Sequence, residues 1–155
     1  MSSKITSLDI SGVLSALNDL RDDSGSVART MAFESATAVR DSAKGYVRSK
    51  TGRLKGAIYA AYVPEESTEA RHVYAVSWNK KKAPHGHLVE YGHWRTNVVV
   101  EVDGKWVFTK EKLDTPVRVP ARPFLRPGYD SVKGRLVDVA NKAGAERLAE
   151  LRTRR

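Results

Sequence analysis

"TNVVVEVDGKWVFTKEK", residues 96–112, carries the signal that decides the fold. Val98, Val100 and Val102 alternate with Val99 and Glu101. Asp103-Gly104 supplies the positive φ that a two-residue hairpin turn requires, and Trp106 and Phe108 lead the return strand. A second pair of strand-like runs comes earlier. "AIYAAYV" (57–63) and "HVYAVSW" (72–78) are rich in β-branched and aromatic residues, and the polar "PEESTEAR" (64–71) joins them as a turn. The strands therefore come in consecutive pairs and do not alternate with helices, which favours α+β over a doubly wound sheet.

Helical patterns flank these pairs. "DISGVLSALNDLRDD" (9–23) spaces Val13, Leu14, Leu17 and Leu20 for a helix, with Asp9 or Ser11 as N-cap, and "DDSGS" (22–26) reads as its break. A second helix is predicted from about Ser26 to Arg48. Its stripe of Ala32, Ala36, Val39, Ala43 and Tyr46 is mostly alanine, so another element can approach it closely. Thr51 and Gly52 end that helix. "HLVEYG" (87–92) suits a short helix stopping at Gly92. "TPVRVPARPFLRPG" (115–128) is expected to be extended, because residues before proline are pushed out of the helical region. A last helix is predicted over Tyr129–Leu151. The fold expected is a small antiparallel or mixed sheet packed against a long N-terminal and a C-terminal helix, with the 96–112 hairpin projecting. All 155 residues are read as one domain, with 1–9 a mobile N-terminus and 152–155 a basic tail.

Composition narrows the function. There is no cysteine, so neither a disulfide framework nor thiolate chemistry is possible, in keeping with a reducing cytoplasm. No apolar run approaches the roughly 20 residues of a membrane span. "MSSKITSLDISG" (1–12) lacks the apolar core of a secretory signal. The net charge of +9 has two readings, a basic soluble protein or one with a polyanionic partner, and no zinc-finger spacing or aromatic-rich RNA-binding strand decides between them. The basic clusters are "NKKK" (79–82) and "LRTRR" (151–155).

His85, His87, Glu90 and His93 fall within nine residues, with His72 a further candidate. Zinc needs three or four such ligands in tetrahedral geometry, and H-x-H on a loop flanked by proline and glycine is read first as structural or interface hydrogen bonding. No G-x-S-x-G elbow and no phosphate-binding glycine loop occurs. Enzyme, metal and cofactor are the minority expectations, and none is assigned. Trp78, Trp94 and Trp106 are read as core or interface anchors in preference to base-stacking platforms.

Three patterns remain, in order: "TGRLKGAI" (51–58), "HGHLVEYG" (85–92) and "PARPFLRPGYD" (120–130). Together they resemble the tail-completion, or head–tail joining, family of long-tailed double-stranded DNA bacteriophages, over roughly residues 25–145. The motif positions are Thr51, Gly52, Leu54, Ile58, His87, Val89, Gly92, Pro123 and Pro127. Gly56-Ala57 and Gly128 depart from the family pattern, and the 96–112 hairpin falls in its most variable region. The resemblance implies a non-enzymatic virion protein at the neck, assembled in the host cytoplasm. It implies a homo-oligomeric ring, a hexamer by the symmetry of the tail, that caps the tail tube and meets the head connector or stopper. The genome passes through the lumen without sequence-specific binding.

A ring needs heterologous contacts between copies. "PARPFLRP" suits one: its prolines pre-order the backbone, Phe124 and Leu125 form an apolar anchor, and Arg122 and Arg126 offer planar forks to a carboxylate such as Glu90. The other reading has Phe124 and Leu125 sealing the chain's own core, with Pro127 starting the helix. Tyr91, Trp94, Val98, Val100, Trp106 and Phe108 complete the expected interface, the hairpin docking on an adjacent subunit or ring. The rival function is a nucleic-acid-binding module using the basic surface.

Overall fold

The computed structural model describes residues 11–48 and 52–154. Residues 1–9 with the candidate cap Asp9, the motif residue Thr51, the side chain of Val13 and the final Arg155 lie outside the described set. The chain is α+β, and among the described residues four strands lie between an N-terminal and a C-terminal helical part. In order come α1 (Ser11–Tyr46), α2 (Arg53–Ala57), β1 (Ile58–Tyr62), a 3-10 turn (Pro64–Glu66), β2 (Tyr74–Trp78) and α3 (Gly86–Tyr91). Then follow β3 (His93–Val102), β4 (Lys105–Val119), α4 (Leu125–Val132), a second 3-10 turn (Lys133–Arg135) and α5 (Leu136–Thr153).

The strands form two separate ribbons, β1–β2 and β3–β4, where one small sheet was expected. At one end of the first ribbon Val63 N–H donates to the Val73 carbonyl, and at the other Asn79 N–H donates to that of Ala57. The partners run in opposite directions, so this pair is antiparallel as predicted.

Two helical expectations change. α1 runs unbroken through "DDSGS", because one interior glycine costs only about 1 kcal/mol against alanine, which packing overrides. Ser24 also bonds within the helix, its Oγ donating to the Arg21 carbonyl at 2.7 Å. The last helix is divided: α4 begins at Leu125, four residues earlier than predicted, and the Lys133–Arg135 turn separates it from α5. The early start is possible because Pro127 falls in the first turn, where a backbone N–H has no intrahelical partner to lose.

The chain divides into two compact units. The first takes Met1–Ala38, Ala60–Ala75 and Lys133–Arg155. In it α5 meets α1 through a glycine. A Cβ on Gly144 would stand 2.9 Å from Met31 Sδ. Arg147 Nε donates to Ser26 Oγ at 3.0 Å on the same face. Phe33 and Tyr62 both pack on Tyr74, with ring centroids 5.7 and 5.3 Å away, and the Arg29 guanidinium lies 4.6 Å from the Tyr62 ring centre.

The second unit takes Val39–Tyr59 and Val76–Val132 and holds the main apolar cluster. Leu54, Ala57, Ile58, Trp78, Ala83 and Phe124 are buried together, with Val47, Val76, Val89 and Leu125 packed around them. The alanine stripe of α1 allows the close approach expected of it: a Cβ on Gly128 of α4 would lie 2.6 Å from Ala43 Cα, so the two backbones are in direct contact. Glycine at 128, a departure from the resembled pattern, is what this approach requires.

Candidate functional site

The three sequence motifs converge inside the second unit. Leu54 and Ile58 come from the first, Val89 and Glu90 from the second, Phe124 and Leu125 from the third. Phe124 is fully buried and meets Trp78 edge-on, centroids 5.8 Å apart at 71°. Glu90, only 7% exposed, reaches into "PARPFLRP". One carboxylate oxygen accepts from Phe124 N–H at 2.7 Å and Leu125 N–H at 3.1 Å, and the other from Arg126 N–H at 3.5 Å. Those N–H groups open α4, where no intrahelical acceptor exists, and a negative group is favoured there by the helix dipole. Arg122 N–H donates to the Val89 carbonyl at 2.8 Å, tying the extended segment to α3.

The expected pairing of Glu90 with the Arg122 or Arg126 side chain is therefore corrected. Its carboxylate is occupied by backbone, and both guanidinium groups belong to exposed residues. The expected exposed anchor is corrected as well: Phe124 and, in part, Leu125 fill the chain's own core. Pro123 is exposed and Pro127 half-buried.

The other motif residues have local tasks. Gly52 and Gly92 both hold φ near 71°, a conformation that disfavours any side chain. Gly92 stops α3, and a Cβ there would press on Val119 O and Ala121 N at 2.7 Å each. Gly86, between the two histidines of "HGH", lies so close under the Trp78 indole that a methyl group would overlap it. Packing thus accounts for that glycine. His85 and His87 are exposed, and among the described residues no group of three or more His, Cys, Asp or Glu is placed to hold a metal ion. A hydrogen bond to Tyr74 raises the Arg29 pKa, and one from Arg40 lowers that of Asp41.

What the motif core leaves open is the β3–β4 hairpin. It is longer than predicted, paired from His93↔Val119 at its base to Val102↔Lys105 at its tip. Asp103 (φ 51°) and Gly104 (φ 72°) form the expected turn. The register slips where β3 advances two residues, Arg95 to Asn97, against five of β4, Val117 to Lys112. Pro116, which has no N–H to give a ladder, falls in this slip. Side chains patch the next irregularity: Asn97 Nδ2 donates to the Thr109 carbonyl at 3.0 Å, and Thr109 Oγ1 to that of Val98 at 2.9 Å.

Paired residues on such a ribbon point to the same face. Val100↔Val107 and Val102↔Lys105 define one face, Val99↔Phe108 and Glu101↔Trp106 the other. Every residue from Val100 to Phe108 is exposed, Trp106 to 61% and Phe108 to 69%. Val98 is half-buried. Tyr91 and Trp94, at the base, are 65% and 61% exposed, with the Arg118 guanidinium 5.7 Å from the Trp94 ring centre. Trp78, read as a core or interface anchor, is in the core, whereas Ala83 was missed, because nothing in its local pattern separates it from a loop residue.

The motif core is closed, and the tip of the β3–β4 hairpin leaves apolar side chains exposed on both of its faces. A family profile described as "Bacteriophage HK97-gp10, putative tail-component" matches residues 12–92, just over half of the 155, and the chain belongs to this HK97-gp10-like family of phage tail components. The match takes in the first two motifs and ends at Gly92, before the hairpin and "PARPFLRP". No curated protein and no solved structure matches the chain.

Proposed function

We propose that the chain is a structural, non-enzymatic subunit of the phage neck or tail end, where copies form a ring that completes the tail and joins it to the head connector. The observation that carries this reading is the hairpin tip. Monomeric proteins rarely leave a contiguous apolar surface in water, and a two-stranded ribbon has no interior to hide one. Val100, Val102 and Val107 on one face and Trp106 and Phe108 on the other call for cover from outside the chain. The occupant is the next copy in the ring, because an arm docking on a different surface of an identical neighbour is the heterologous contact that closes a ring. Tail tube and connector proteins flank the ring, and the genome crosses its lumen. As a tail component the chain is part of the virion; among its described residues no helix is long and apolar enough to cross a membrane.

The test replaces residues 98–109 by a short Gly-Ser turn. The shortened chain is expected to keep its melting transition, because the tip touches little of the core, while tailed particles disappear from the lysate. Infectious particles in normal number would show that the arm is dispensable.

A further inference from the structure

The net charge is not shared between the units. The second holds sixteen Lys and Arg against seven Asp and Glu, and the first eleven against eleven, so the whole excess of +9 resides in the second. Part of this excess is gathered by one hydrogen bond. Asn79 N–H donates to the carbonyl of Ala57, the last residue of α2, at 2.9 Å. This sets the 80–82 turn against the end of α2. The turn is itself fixed: Asn79 Oδ1 accepts from Lys81 N–H at 2.9 Å and Lys82 N–H at 3.1 Å, and Ala83, fully buried, returns the chain to the core. Arg53 and Lys55 on α2 and Lys80, Lys81 and Lys82 on the turn are all exposed, and none is ion-paired among the described residues. Neither 52–57 nor 79–87 contains an acidic residue.

We infer that this five-cation patch binds the phosphate backbone of duplex DNA without reading its sequence. Its chemistry separates this partner from an acidic protein face. Protein interfaces are depleted in lysine and centred on aromatic or apolar residues. Here four of five cations are lysines, and Leu54, Ala57 and Ala83 of the two segments are buried. Lysines are strongly hydrated point charges on flexible stems, suited to rows of phosphates and not to fixed bidentate pairing. Neither 52–57 nor 79–87 holds Phe, Trp, Tyr or Gln, and the side-chain oxygen of Asn79 is taken by the Lys81 and Lys82 N–H groups, so the contact is electrostatic and sequence-tolerant.

The free, full-length chain is the right material, so the outcome does not depend on ring formation. Fluorescence anisotropy of a labelled duplex of roughly 20 base pairs, titrated between about 50 and 200 mM salt, should show affinity falling steeply with salt, by close to 0.9 in log–log slope per phosphate contact. Lys80, Lys81 and Lys82 changed together to alanine should weaken binding about tenfold or more and flatten the slope by up to roughly 3. Arg53→Ala with Lys55→Ala should act in the same direction. The control removes equal charge elsewhere, Lys142, Arg152 and Arg154 to alanine, and should change affinity less than about twofold; melting curves verify that each variant is folded. Equal losses in patch and control variants would reduce the effect to net charge and overturn the proposal. So would unchanged duplex binding by the patch variants, including the case where they lose affinity only for poly-glutamate, which would assign the patch to an acidic protein.

Discussion

Phe124→Ala separates a structural from a docking role for "PARPFLRP". Phe124 is fully buried, edge-on to Trp78, and packed among residues of all three motifs. Truncating a phenylalanine in such a site removes its transfer free energy and leaves a cavity, together about 3–5 kcal/mol. The upper half of that range is expected, because Trp78 and Phe124 draw on each other and the small alanines beside them cannot collapse into the space. A domain is typically stable by only about 5–15 kcal/mol, so the variant should be marginal. Urea unfolding followed by tryptophan fluorescence measures this directly, Trp78 being the reporter beside the cavity. Phe124→Leu should lose less than half as much, since most of the volume is kept. A loss below about 1 kcal/mol for the alanine variant, the range of surface substitutions, would refute the core assignment and return Phe124 to an interface.

Other substitutions probe the clasp, the close packing and the arm. Glu90→Ala leaves the buried Phe124 N–H without an acceptor and should cost about 2–4 kcal/mol in the same urea assay, while Glu90→Gln, which keeps one amide oxygen, should cost less. Gly86→Ala drives a methyl group into the Trp78 indole and should lose about 1–3 kcal/mol, with a shift in tryptophan emission. Trp106→Ala combined with Phe108→Ala should leave stability within about 0.5 kcal/mol of the parent, both being exposed, and yet abolish head–tail joining counted by electron microscopy.

The features legible in the sequence were those that local chemistry dictates. Asp103-Gly104 between alternating valines can be little other than a hairpin turn, Gly92 after "LVEY" stops a helix, and a stripe of alanines announces a close neighbour. What was not legible depended on partners remote in the chain. The break expected at "DDSGS" is overridden by packing of α1, a cost of one glycine against many contacts. Glu90 was paired with arginines because charge complementarity is visible in a sequence. The actual acceptor role, toward N–H groups at a helix start, depends on where that start lies. A proline-rich segment reads alike whether its phenylalanine points in or out; Trp78 and Gly86 decide the matter, and their contact is a property of the fold. The apolar hairpin tip was legible as composition, and its exposure on both faces required the register.

The central claim is that copies of this chain ring the neck through the β3–β4 arm. The most direct measurement is a cryo-electron-microscopy reconstruction of intact particles, resolved well enough to trace the arm. The expected result is a ring of copies at the head–tail junction, with Trp106 and Phe108 buried against the adjacent subunit. A single copy at the neck, no copy in the virion, or a ring whose hairpin tips stand free in solvent would contradict it.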